Sequence, residues 1–108
     1  MKGERIGEFE ELVMLVIASL MEKAYSVAIC EELGSKAERT VKLGVVHTVL
    51  NRLEKKGLIV SFLGEPTSER GGRRKRFYQL TAAGASSIKE SKEVREKLWS
   101  SIPYLSQS

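Results

Sequence analysis

The chain has 108 residues, 42% of them hydrophobic and 30% charged, which is enough for one small core and too little for a multi-domain enzyme. No apolar run approaches the roughly 18 residues needed to span a bilayer, and Met1-Lys2-Gly3-Glu4-Arg5 leads into an acidic segment, so a cytoplasmic chain with no membrane partner is expected. Eighteen Lys and Arg stand against fourteen acids, all of them Glu, for a net charge of +4; one cysteine (Cys30) and one histidine (His47) permit neither an internal disulfide nor an ordinary zinc site, and no metal or cofactor is expected.

Phe9, Leu12, Val13, Val16, Ile17 and Leu20 recur at spacings of three and four, which predicts a first helix from about Glu8 to Met21. Glu8, Glu10 and Glu11 fall in its first turn, where negative charge suits the helix dipole. Lys23-Ala24-Tyr25 breaks the pattern. Ser26 is the expected N-cap of a second, short helix to about Ala37, with Val27, Cys30 and Leu33 on one face and Cys30 acting as a small apolar side chain rather than a redox sensor.

From Leu43 to Lys56, Val46, Val49, Leu50 and Leu53 make one face of a third helix, and His47, Thr48, Asn51, Arg52 and Lys55 make the other. Gly57 after Lys55-Lys56 is the expected stop. Residues 58–63 and 77–80 are short, β-branched or aromatic runs that predict two strands of a hairpin, joined by the polar, glycine-rich stretch 64–76. Thr81 is placed to cap a last helix that runs to Ser100, supported by opposite charges four residues apart at Lys89/Glu93, Lys92/Glu96 and Glu93/Lys97. Pro103 marks its end and Ser106-Gln107-Ser108 reads as a frayed tail.

The order helix, helix, helix, strand, basic loop, strand, helix predicts a mainly α (α+β) fold, the winged helix-turn-helix. In that layout the third helix enters the DNA major groove and the hairpin loop, the wing, reaches the neighbouring backbone or minor groove. The charge agrees with the layout: residues 42–76 hold nine basic and three acidic side chains, a net of +6, and the rest of the chain is at −2. Arg70, Arg73, Arg74, Lys75 and Arg76 crowd around Gly71-Gly72, and like charges packed this closely repel unless an anion such as a polyphosphate lies against them.

The outer face of the third helix offers Lys42, Thr48, Asn51 and Arg52 to phosphates or base edges, and Gly44 removes bulk where the backbone could approach a phosphate. His47 is read either as a phosphate or guanine contact whose charge makes binding pH-dependent, or as a partly exposed structural histidine. Ser26 opens a helix whose first amides could hold a phosphate. Ile88, Leu98, Trp99 and Ile102, with Phe9 on the first helix, are the candidate contacts to a second copy, although the stripe is loose and interrupted by Ser91, Lys92 and Arg95. Without Asp, a second His, a phosphate-loop pattern or paired cysteines, the chain is not expected to be an enzyme. A winged helix used only as a protein-interaction module is the competing reading, and the basic wing argues against it.

Gly7-Glu8-Phe9-Glu10-Glu11-Leu12-Val13, Ala24-Tyr25-Ser26-Val27, Leu43-Gly44-Val45-Val46-His47, Leu53-Glu54-Lys55-Lys56-Gly57-Leu58, Gly64-Glu65-Pro66-Thr67, the 69–78 stretch Glu-Arg-Gly-Gly-Arg-Arg-Lys-Arg-Phe-Tyr and Leu80-Thr81-Ala82-Ala83-Gly84 together resemble the PadR family of bacterial transcriptional regulators, over about residues 7–90. The resemblance implies a homodimer that binds double-stranded DNA at specific sites, usually as a repressor, with a winged-helix part at residues 1–80 and a dimerisation helix and tail at 81–108 forming one compact unit. Its operator would be an inverted repeat read by two third helices about one helical turn apart. Members often carry Tyr where His47 stands. The short tail is similar to the small-tailed branch, some of whose members stack flat aromatic ligands on a tryptophan at the dimer seam. That makes Trp99 a candidate for a small aromatic ligand.

Overall fold

The structure is a computed structural model and describes residues 6–65 and 74–105. Its elements are α1 (Glu8–Leu20), a single 3-10 turn (Met21–Lys23), α2 (Ser26–Ser35), α3 (Leu43–Lys55), β1 (Ile59–Leu63), β2 (Arg76–Leu80) and α4 (Ala82–Ser100). This is the expected winged helix-turn-helix order, with a two-stranded antiparallel sheet in which Ile59 pairs with Leu80 and Leu63 with Arg76.

The core gathers one face from each element. Val13, Met14 and Ile17 of α1, Ile29 and Leu33 of α2, and Val46, Leu50 and Leu53 of α3 are buried, closed on the sheet side by Ile59 and Tyr78. The three- and four-residue spacings of α1 and α3 therefore fold as read. On α2 the phase differs: Ile29 and Leu33 face inward, Cys30 is half-buried with its Sγ donating to the Val41 carbonyl at 3.3 Å, and Val27 is exposed. Ser26 is the first helical residue rather than the cap, a position taken by Tyr25 with extended backbone (φ −111°, ψ 166°). The cause is long-range. Tyr25 bridges Phe77, and the Tyr78 amide donates to the Ala24 carbonyl at 2.8 Å, so the sheet holds Tyr25 extended and the helix starts at Ser26, one residue earlier than a Ser26 cap would give. The helix also ends at Ser35, two residues short of the expected Ala37.

Gly57 terminates α3 in the left-handed region (φ 76°), with the Leu58 amide bonded to the Leu53 carbonyl and the Gly57 amide to the Glu54 carbonyl, each at 3.0 Å. These two bonds satisfy carbonyls that the helix end leaves open, in a conformation only glycine adopts without strain. The Thr81 hydroxyl then does two things: it accepts from the Gly84 amide at 3.0 Å, capping α4, and donates to the Gly57 carbonyl at 2.7 Å. Gly84 itself is buried against the backbone of Leu58. Beyond its first two turns α4 leaves the core, and residues 92–100 are all exposed. Lys92 and Glu96 form one of the expected charge pairs at 2.9 Å, and Arg95 reaches back to Glu11 of α1 at 3.1 Å. No helix among the described residues is long and apolar enough to cross a membrane.

Candidate nucleic-acid interface

The inward stripe of α3 fixes its roll, and the opposite side presents Lys42, Gly44, His47, Thr48, Asn51 and Arg52, all exposed. A Cβ on Gly44 would meet nothing within 4 Å, so the backbone of the first turn lies open. Thr48 donates its hydroxyl to the Gly44 carbonyl at 3.0 Å, the bond to the preceding turn that a threonine within a helix makes. Val45 was not singled out by the sequence, yet it is 44% exposed on the same turn. Its signal was present: it falls outside the stripe of Val46, Val49, Leu50 and Leu53, on the side of the first turn that faces away from the core.

At the hairpin, Arg74, Lys75 and Arg76 are exposed, whereas Arg70 and Arg73 lie outside the described residues. Lys75 places its ammonium 4.0 Å from the centre of the Tyr25 ring, and Tyr25 meets Phe77 edge-on at 5.7 Å. Arg76 donates to the Ser61 hydroxyl at 3.1 Å, and Ser61 donates to Glu54 at 2.8 Å. The last turn of α3 and the root of the hairpin are thus joined through one serine, and Glu54, an acid inside the basic stretch, has a structural use there. Burial raises the pKa of the neighbouring Tyr78 phenol, with the Glu54 charge adding to it and Arg76 opposing. Ser26 is half-buried at the start of α2, one residue after the Tyr25 ring that carries Lys75.

Glu10, which the sequence offered only as a favourable charge in the first turn of α1, is buried. Its carboxylate accepts from the Gly7 amide at 2.9 Å and from Lys56 at 3.0 and 3.2 Å, with Arg52 at 3.5 Å. Burial pushes its pKa up, but the Gly7 amide and the Lys56 and Arg52 charges outweigh it and hold the group below the ordinary carboxylate value. Nearby, Arg39 forms a two-pronged pair with Glu8 (2.8 and 3.1 Å) and lies over the Phe9 ring at 5.5 Å. The Arg39 hydrogen bond holds the Glu8 carboxyl below its usual range.

The residues expected to meet a second copy separate into two sets. Phe9 and Ile88 are half-buried against the chain's own core, and Ile102 is half-buried near the end of α4. Leu98 and Trp99 are 63% and 59% exposed, and Val94 adds a third exposed apolar side chain one turn before Leu98.

The PadR-like family of transcriptional regulators matches residues 14–90. Among curated proteins none matches the chain significantly. Among solved structures, a PadR-like regulator from Bacillus cereus is 22% identical and covers 93% of this chain and 92% of its own, with a TM-score of 0.72. A PadR family regulator from Clostridium difficile is 23% identical, covers 85% of this chain and 91% of its own, and gives 0.68. A complex of hsRosR-S1 is 22% identical, covers 94% of this chain and 83% of its own, and gives 0.71. At these identities the likeness speaks for the fold, and the family match, which takes in the helix-turn-helix, the hairpin and the start of α4, speaks for descent: the chain belongs to the PadR-like family of DNA-binding transcriptional regulators.

Proposed function

We propose that the chain acts as a homodimeric repressor that binds an inverted-repeat operator and blocks polymerase. The observation that carries this reading is the pairing of an exposed polar face on α3 with a basic hairpin root braced to the same helix through Ser61. His47, Thr48 and Asn51 read base edges, while Lys42, the first turns at Gly44 and Ser26, and the cations of the 70–76 stretch take phosphates. Arg52 stands at the margin of the reading face, between the duplex and Glu10. The exposed Val94, Leu98 and Trp99 of α4 favour pairing with a second copy, since an isolated helix of this chain gains nothing by showing them to water. An exposed indole in that seam also suits a flat aromatic ligand. The deciding experiment is a gel shift on the DNA upstream of the chain's own gene, with and without excess random duplex. Retention that survives the competitor supports an operator-specific regulator; complete loss with competitor removes it.

A further inference from the structure

The end of α3 carries a charge arrangement that meeting DNA does not require. Glu10 is the buried charged side chain among the described residues, 6% exposed, and a buried carboxylate is costly unless hydrogen bonds and opposite charge compensate it. Here one hydrogen bond comes from the amide of Gly7 at the head of its own helix, and the opposite charges come from Lys56 and Arg52 at the far end of α3. Toward these two cations the carboxylate supplies the negative charge that a phosphate would supply. Arg52 is half-exposed, so it could turn either to Glu10 or to the duplex.

Resting on the reading of α3 as the helix that meets DNA, we propose that Glu10 is a positioning residue for it. Through Lys56 it holds the last turn of α3 against the first turn of α1, and it keeps the Arg52 charge for itself. Base reading is then left to His47, Thr48 and Asn51, and Arg52 displaces no counterion from the duplex.

Counterion release gives a readout that a merely structural role would not move, because partial unfolding lowers the amount of active protein without altering the dependence of log K on log salt. The test uses the full chain and a labelled random-sequence duplex titrated over a range of KCl. Arg52→Gln is expected to leave the slope unchanged, and Glu10→Gln, which releases the Arg52 charge, to steepen it by about 0.9. In the Glu10→Gln background, Arg52→Gln should then take back about 0.9. A slope that falls by about 0.9 with Arg52→Gln alone, or stays at the wild-type value with Glu10→Gln, overturns the proposal. Should Glu10→Gln fail to fold, a slope that falls by about 0.9 with Arg52→Gln still overturns the proposal. A wild-type chain that ignores the duplex in dilute buffer overturns the DNA-binding reading and this inference with it, whereas binding with the wrong slopes overturns the inference alone.

Discussion

A methyl group on Gly84 would land on the carbonyl oxygen of Leu58, which is backbone and has no rotamer by which to move away. Gly84→Ala is therefore expected to destabilise the fold by about 2–3 kcal/mol, seen as a lower midpoint in thermal denaturation. Gly34, inside α2 with open space where a Cβ would stand, is the control. Gly34→Ala should raise the midpoint slightly, because alanine holds a helix better than glycine by roughly 0.8–1 kcal/mol. A separate pair of substitutions distinguishes reading from clamping. Asn51→Ala should erode the preference for operator over random DNA in competition gel shifts, and Arg74→Ala should weaken both by a similar factor. Equal losses on both DNAs from the Asn51 change would mean that α3 reads no bases.

Between elements, the pairing of α1 with α3 through Glu10 has a pH signature. A carboxylate whose folded pKa lies below its free value of about 4.5 stabilises the fold above that value, and the contribution disappears as pH falls through the lower folded pKa. Urea midpoints of the wild type should thus change little from about pH 7 to about pH 5 on account of this group and drop below about pH 4, with a smaller acid loss in Glu10→Gln. An equal loss in both chains would show that the Glu10 charge is not what links the helices. The helix stripes were legible in the sequence because α1 and α3 carry their own periodicity, and so was the outer face of α3, which is what remains once the stripe is assigned. The phase of α2 was not. Ile29 rather than Val27 faces inward because Tyr25 is pinned to Phe77 of β2, a contact that no local pattern announces. Glu10 and Lys56 lie 46 positions apart, so their pairing was equally hidden, and Glu54 gave no sign of its link to Ser61 and Arg76. Of the five wing cations, three are positioned here and two fall outside the described residues.

At the scale of the whole molecule, the chain is 58 Å in its longest dimension and 21 Å in its shortest, and the far half of α4 carries apolar side chains away from the core. If that half is the seam of a dimer, Leu98→Asp should convert the species seen by sedimentation equilibrium to a monomer and lower operator affinity, without changing the midpoint at which a monomeric core unfolds. A monomeric wild type would remove the dimer from the proposal. Trp99 offers a second check: planar aromatic compounds should quench its fluorescence at micromolar concentration, and a flat titration would remove the ligand site.

Thr81 gives this architecture a mechanical consequence. Its one hydroxyl bonds both the tail of α3 and the head of α4, so it sits at the fulcrum of a rod about 28 Å long, taking 1.5 Å per residue for the 19 residues of α4. Tilting such a rod by about 5° displaces its tip by about 2.5 Å. If two chains join at the tips and read DNA with α3, a loosened fulcrum would change the distance between those helices, and with it the half-site spacing the pair tolerates, without touching a side chain on the outer face of α3.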